Sequence, residues 1–463
     1  MAQLHPLPET SAPKTDLGIA VAALKDNVTR YEKTTKYYSG DHDLAYATEK
    51  FVNAFGKMFR EFSLNLCPAI VDAVRDKLVI TSFGVEKGTK EGIGDEAWNI
   101  WQANRMGKRS GEIHKEALRN GDAYAMVWVD AFKKVTIYPQ RAASCTVFYD
   151  EETPGKVLWA AKFWKTADKR LRINLFYPDR IERYVTKKKS DTLPDETQWE
   201  KLEGDKAFAV ANPYGIVPVF HFANNSDIGA FGVSELTEAI PIQNALNKSV
   251  LDMLIAMEFA AFRQRWITGI DVELDDQGNA KSPFVPGAER IWVTENENAK
   301  FGDFEAADLK QFLEVKESFR VDMAAVTGTP LYYFMQTGGQ FPSGEALQKA
   351  ETRFVNKVRD RMQAFGQVWE DLMAFALTIE NKGKDVRLFA EWEEPAPLSE
   401  KELLDNLITK QALGVDDEQL LMEAGYGAED IAKMMERKAE KAQAEADRFN
   451  AGEVVDPLAE EQK

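Results

Sequence analysis

Between Ser234 and Glu380 the chain runs through a fixed order of a helix, a short acidic insert with β character, a second helix, a glycine-rich loop and a long helix. The first of these constrains the fold most. Across 242–266, Leu246, Val250, Met253, Met257 and Ala260 form one apolar stripe, and Leu251, Ile255, Phe259 and Phe262 form another. A helix apolar on so many sides must be covered by neighbours on several sides. At ~1.5 Å per residue it is roughly 37 Å long. One subunit of 52.2 kDa is a poor source of that much cover. A ring of identical subunits, helix packed against helix around an axis, supplies it; the plainer alternative is a central helix of a globular core. No lipid is called for, because the run Ser249–Phe262 is interrupted by Asp252 and Glu258 and falls short of the roughly 18 uncharged apolar residues of a membrane span. Asn244, Lys248 and Asp252, at i, i+4 spacing, leave one narrow polar line that could face a wet channel.

The elements that follow extend the pattern. The insert 268–308 holds ten Asp or Glu against three Lys or Arg, with a Gly278-Asn279 turn and a strand expected at Arg290-Ile291-Trp292-Val293-Thr294. It is too small for its own core and would gain stability by pairing with other chains. In the return helix, 306–327, Leu309, Phe312, Leu313, Phe319, Met323 and Val326 fall at helical spacing before a Gly328-Thr329-Pro330 stop. Next comes a loop of aromatics and glycines: Leu331, Tyr332, Tyr333, Phe334, Met335, Gln336, Thr337, Gly338, Gly339, Gln340 and Phe341. So many large apolar residues are unusual in a surface loop. Ser343 then caps a helix reaching Glu380, with Lys349, Arg353 and Lys357 along one face. That row is either a solvated face or a place where phosphates pass.

The first half reads differently. Helical patterns at 16–38, Leu66–Leu78 and Trp98–Asn120 give way, from Lys133 to Phe222, to alternating β-branched and aromatic runs. The fold class is therefore α+β, mainly helical. After Pro395-Ala396-Pro397, residues 399–449 are helical and charged, and the N-terminal 16 residues read as a flexible arm without the basic and apolar regions of a secretory signal.

Signs of catalysis are thin. His5, His42, His114 and His221 are scattered with no metal-ligand spacing, so packed or surface imidazoles are expected and no metal or cofactor. No GxxxxGK[ST], GxGxxG or GxSxG occurs. Glu370-Asp371 and Glu391-Trp392-Glu393-Glu394 are adjacent carboxylates, more readily solvated faces than acid/base pairs. Cys67 and Cys145 form no motif and read as reduced, buried thiols. The net charge of −17 removes any general attraction to nucleic acid or anionic lipid.

Several segments, taken in order, resemble tailed-bacteriophage portal proteins of the type related to the portal of the Bacillus phage SPP1. They are Tyr37-Tyr38-Ser39-Gly40-Asp41-His42, Ala117-Leu118-Arg119-Asn120-Gly121-Asp122-Ala123-Tyr124, Asn212-Pro213-Tyr214-Gly215-Ile216-Val217-Pro218-Val219, Val326-Thr327-Gly328-Thr329-Pro330 and Pro342-Ser343-Gly344-Glu345-Ala346-Leu347. The resemblance implies a portal fold of wing, stem, clip and crown, assembling as a ring, dodecameric in most such proteins. It implies an arm and wing over 1–232, stem helices over 233–266 and 306–327, a clip over 267–305, a tunnel loop over 328–343, a returning wing helix and following segment over 344–397, and a crown and tail over 398–463. It also implies a virion protein assembled in the host cytoplasm, no enzyme and no membrane. Its partners would be double-stranded DNA in transit, the terminase large subunit, a head-tail connector, and the major capsid and scaffold proteins. An acidic wall suits such a conduit: a basic one would hold DNA through counterion release at each phosphate. The residues leave two other readings: a cytoplasmic hydrolase with an α+β domain and helical lid, and another ring-forming virion connector.

Overall fold

In the computed structural model the first helix, α1 (Asp16–Ser39), starts where the Thr15 hydroxyl accepts from the Gly18 amide and stops at Gly40, which supplies the left-handed φ of 85°. The structure describes residues 15–46, 49, 53, 63–86, 90, 92–203, 208–227, 231–261, 265–269, 298–303, 309–335, 344–383, 386–396, 400–424 and 426–450. The N-terminal arm, most of the acidic insert with its expected strand at 290–294, the glycines of the loop and the C-terminal tail lie outside these residues.

After α1 come α2 (Cys67–Arg75), with proline in its first turn, β1 (Ile80–Val85), α3 (Ile93–Ala103) and α4 (Met106–Asn120). The single helix expected over Trp98–Asn120 is thus two. Asn104 breaks it by bonding sideways: its Nδ2 donates to the carbonyls of Ile100 and Val135 at 3.0 and 3.2 Å, and its Oδ1 accepts from the Ile137 amide at 2.9 Å. Arg105 then takes a φ of 55°. A short polar side chain paired with the backbone outside the helix has overridden helical propensity.

Strands follow: β2 (Asp122–Val129), β3 (Val135–Arg141), β4 (Cys145–Tyr149), β5 (Val157–Lys165), β6 (Leu171–Phe176), β7 (Arg180–Thr186), β8 (Trp199–Lys201), β9 (Ala209–Ala211) and β10 (Val219–Ala223). They form a three-stranded antiparallel sheet, β10-β2-β3, and a larger antiparallel meander, β4-β5-β6-β7-β8, with β9 also on β7. The remainder is α5 (Ala239–Ala261), β11 (Arg265–Thr268), β12 (Lys300–Asp303), α6 (Lys310–Thr327), α7 (Gly344–Ile379), β13 (Leu388–Trp392), α8 (Glu400–Ala412), α9 (Asp417–Glu423) and α10 (Ala428–Asn450). The apolar helix expected to reach Trp266 therefore gives way earlier, to β11, and the helical character expected over 399–449 is carried by three helices. β13 takes in Glu391 and Trp392 of the Glu391–Glu394 cluster and pairs with β1, Ile80 opposite Trp392.

The chain divides into a large unit (1–341 and 350–395) and a small one (342–349 and 396–463). In the large unit the main core joins α2, α3, α4 and α7, with Trp101, Phe222, Phe365 and Trp369 at its centre and the Trp101 and Trp369 rings edge to face at 4.9 Å. A second core lies between α1 and one face of the meander (Leu17, Val21, Leu24, Ile173, Leu175, Trp199), and a third between the meander's other face and the β10-β2-β3 sheet (Tyr124, Val147, Phe176, Val219). In the small unit α8, α9 and α10 converge on Leu407, Leu420 and Met434.

Candidate functional site

The candidate site is the helix–ribbon–helix formed by α5, β11, β12 and α6, together with the junction that fixes it to α7. Short antiparallel pairing of β11 with β12 sets Trp266 opposite Gly302. The indole lies so close over Gly302 that a Cβ there would collide with the ring, so glycine is required at that position.

The buried polar residues of α5 are all partnered, and they anchor the helix. Gln243 accepts from the Leu66 amide at 3.0 Å and donates to the Leu64 carbonyl at 2.6 Å. Asn247 accepts from the Leu64 amide at 3.0 Å and bonds His42 Nδ1 at 2.8 Å. Asn244 is buried and accepts from the Tyr37 hydroxyl at 2.7 Å. The expectation that Asn244 faces a channel therefore needs correction: its amide is committed inside the subunit, because an unpaired buried amide would cost about 1–3 kcal/mol. Lys248 and Asp252 pair with each other one turn further on, at 2.5 Å and part-exposed. Gln243 and Asn247 went unnoticed in the sequence. Their signal was two amides at i, i+4 in an otherwise apolar helix, a placement that demands partners.

Helix α6 is the opposite case. It buries only Met323 and Thr327 and leaves Leu313, Val315, Val321 and Val326 exposed at 53, 42, 48 and 46%. Between α5 and α6 runs a groove of about 530 Å³ lined by Pro241, Ile242, Ala245, Phe319, Asp322, Ala325 and Val326. One aspartate among six apolar residues leaves a largely apolar surface open to water.

At the top of α6 the chain turns at Gly328, φ 66°, and α7 caps the helix end. Arg353 donates to the Ala325 carbonyl at 3.1 Å and Lys357 to the Thr327 carbonyl at 2.8 Å, cations set at the negative end of the α6 dipole. Lys357 also pairs with Glu235 at 2.5 Å, and Arg361 pairs with the same carboxylate at 3.1 Å. Burial works to raise the Glu235 carboxyl, but the two cations outweigh it and hold it below the ordinary range. The basic row, read as either a solvated face or a place where phosphates pass, is corrected at Lys357, which is largely buried and occupied, while Arg353 caps α6 from an exposed position. The side chain of Lys349 lies outside the described residues. Glu235 and Arg361 were missed because nothing local in the sequence joins them.

The aromatic loop is likewise only partly a loop. Leu331–Tyr333 form one turn of 3₁₀ helix, Phe334 is 4% exposed in the main core, and Tyr333 packs on Phe354 at 5.8 Å. The Tyr332 hydroxyl bonds Glu351, whose carboxyl burial raises. So the unusual apolar content has a core to fill, and of the described loop residues only Met335 is exposed. Gln336, Thr337, Gly338, Gly339, Gln340 and Phe341 lie outside the described residues.

Residues considered for catalysis are spent on structure. His114 is fully buried, Trp369 donates to its Nε2 at 2.9 Å, and burial pushes its imidazole down to about 3. His42 stacks on Tyr37, and His221 bonds the buried Asp122 at 2.8 Å. Glu370 accepts from the Ala390 amide at 3.0 Å. Both cysteines are free and buried, their thiols pushed up to about 12. Among the described residues no group of three or more His, Cys, Asp or Glu could hold a metal, and no helix is long and apolar enough to cross a membrane.

The chain is similar to two curated mycobacteriophage proteins. The portal protein of Mycobacterium phage L5 is 26% identical over 342 residues, and that of Mycobacterium phage D29 is 24% identical over 348; each match covers 70% of this chain and 68% of the relative. Among solved structures, a chain from the neck of an empty gene transfer agent particle computed with C6 symmetry is similar at TM-score 0.46 and 12% identity, over 83% of this chain and 95% of that one. A chain from the native particle's neck computed with C12 symmetry gives 0.45 and 11%, over the same shares. The family model described as phage portal protein, SPP1 Gp6-like, matches residues 19–448. With nearly its whole length accounted for in this way, the chain belongs to the SPP1 Gp6-like family of phage portal proteins.

Proposed function

We propose that this portal protein closes into a ring, a dodecamer by analogy with its family, whose channel passes double-stranded DNA at the one portal vertex of the capsid. The observation that carries this reading is the apolar surface that α6 leaves uncovered on more than one side, together with its groove against α5. Four large apolar side chains in one helix, each more than two-fifths exposed, form a surface that association buries. In a ring this surface of each copy packs on a different surface of the next copy, so every copy's is covered at once.

On this reading residues 1–232 are the arm and wing, 233–266 and 306–327 the stem, 267–305 the clip, 328–343 the tunnel loop, 344–397 the returning wing and 398–463 the crown and tail. The terminase large subunit would dock during packaging and a head-tail connector afterwards, with capsid and scaffold protein around the rim during assembly in the host cytoplasm. The chain itself carries out no reaction. Movement of DNA draws its energy from the terminase, in keeping with a sequence that has no nucleotide-binding loop. For the stem face seen by DNA, the Lys248–Asp252 pair remains a candidate and Asn244 does not.

Native mass measurement and negative-stain imaging test the ring, with closed rings of one subunit number expected. Monomers alone under all conditions, capsid and scaffold proteins included, would overturn it. The tunnel loop is tested by deleting 336–340, since a deletion from Tyr332 would also remove the core residues Tyr333 and Phe334. Rings should persist while the yield of DNA-filled particles falls; an unchanged yield rejects the assignment.

A further inference from the structure

One face of the β4–β8 meander carries a basic cluster that the portal reading leaves unused. The register sets Trp164 opposite Arg172 and Lys162 opposite Asn174, with Asn174 in turn opposite Arg183. Side chains alternate along strands, so these five share a face, while Phe163, Ile173, Leu175 and Tyr184 point the other way, toward α1. Farther along the same face Ala160, Phe176 and Ile181 are covered by the third core. The polar end is uncovered and concave: Trp164, Arg172, Asn174 and Arg183 line a depression of about 260 Å³.

The charges there are unbalanced. Among the described residues no carboxylate forms an ion pair with Lys162, Arg172 or Arg183, and the carboxylates nearby, Asp168 and Glu200, are both taken by Arg170. All three cations are half-buried. Burial, then Arg183 and Arg170, pull the Arg172 guanidinium below its usual range, and burial lowers Lys162. Arg172 Nε and Asn174 Oδ1 are buried without any hydrogen-bond partner. Three like charges and two orphaned polar atoms in one depression destabilise the sheet, in a chain with 75 Asp and Glu to draw on. A bound anion balances the charges and gives Arg172 Nε an acceptor.

Geometry narrows the anion. Guanidinium forks recognise oxyanions bidentately, and three positive charges exceed what one carboxylate returns. The Arg172 guanidinium stands 5.5 Å and the Lys162 ammonium 5.3 Å from the Trp164 ring centroid. That ring is therefore engaged with cations rather than laid open for a base to stack on. We propose that this depression is a binding site for a phosphate group, held by Arg172, Arg183 and Lys162, with the Asn174 amide nitrogen as a further donor and Trp164 fixing the cations. A nucleic-acid backbone and a free phosphate share that chemistry. The site does not depend on the ring: its failure would leave the oligomer measurements untouched.

The test uses the full-length protein. Thermal unfolding is followed with rising inorganic phosphate, chloride holding ionic strength constant. The midpoint should rise for wild type, and Arg172→Gln and Arg183→Gln should each weaken the phosphate response by about tenfold in concentration. Without phosphate, Arg183→Gln should be no less stable than wild type, since it removes a like charge. A second arm titrates labelled duplex DNA against salt. If the backbone is the source, both variants lose affinity and the log–log salt slope flattens by about 0.9 per lost contact; if free phosphate is the source, duplex binding is unchanged while the phosphate response is lost. Equal phosphate responses in wild type and variants overturn the site, as does no response in wild type. Variant-sensitive binding of a poly-glutamate peptide without a phosphate response gives the depression to an acidic protein and likewise overturns the proposal.

Discussion

His114 is held between α4 and α7 with no solvent at all, its ring stacked on Phe365 at 5.4 Å and its Nε2 accepting from Trp369. Protonating it would strand a charge in the core. The unfolded chain takes up that proton near the ordinary histidine value, the folded chain only near 3. Stability from this residue is therefore full above about pH 6.5 and lost as pH falls toward 3, at up to ~1.4 kcal/mol per pH unit. His114→Gln should flatten that part of the profile. The check is urea unfolding across the acid range: the gap between wild type and variant should narrow as pH drops, and parallel curves would refute it. Glu235 is a second sensitive point. Removing its charge leaves Lys357 and Arg361 facing each other at a buried position, so Glu235→Gln should lower stability by about 3–5 kcal/mol in denaturant unfolding, whereas Glu393→Gln at the end of β13 should change it by less than ~0.5 kcal/mol.

At the scale of elements, α6 separates subunit stability from assembly. Val321→Asp falls on its exposed face, so the isolated subunit should unfold within ~0.5 kcal/mol of wild type while ring yield drops sharply in native mass measurement. Equal loss of both would mean that the face belongs to the subunit core. The elements also show what a sequence can disclose. The β character of 133–222 was legible because alternation follows from a sheet buried on one face. The long helix α7 was legible to within a residue or so at each end, because its apolar register never slips. The break at Asn104 was not, since its cause is a strand 31 and 33 residues away. β13 was hidden for the same reason: Glu391 and Glu393 drew attention as acids, while the burial of Leu388 depends on β1. At the site, the helix order could be read in advance, but the apolar surface needing cover was expected on α5, whereas α6 is the helix that leaves more of it exposed. The direction of Asn244, the work of Lys357 and the core position of Phe334 could not, because each depends on a partner from a distant part of the chain.

For the whole molecule, the two units call for separate tests. A chain ending at Ala396 retains every cluster of the large core and should unfold cooperatively at the midpoint of the corresponding transition in the intact protein, measured by circular dichroism on heating. A lower midpoint would show that the small unit supports the large one. The pairing of β1 with β13 has a consequence in time as well as space. Thr81 donates to the Glu391 carbonyl across 310 residues, so β1 emerges from the ribosome long before its strand neighbour β13 exists. At ~5–20 residues per second that wait lasts roughly 15–60 s. Throughout it the edge of β1 lacks its native partner, and for most of it α7, which fills the main core, is also still to be made. In the second half of that interval the apolar helices α5 and α6 are made as well, which makes the speed of translation, and any chaperone bound meanwhile, part of how many sound subunits a cell obtains.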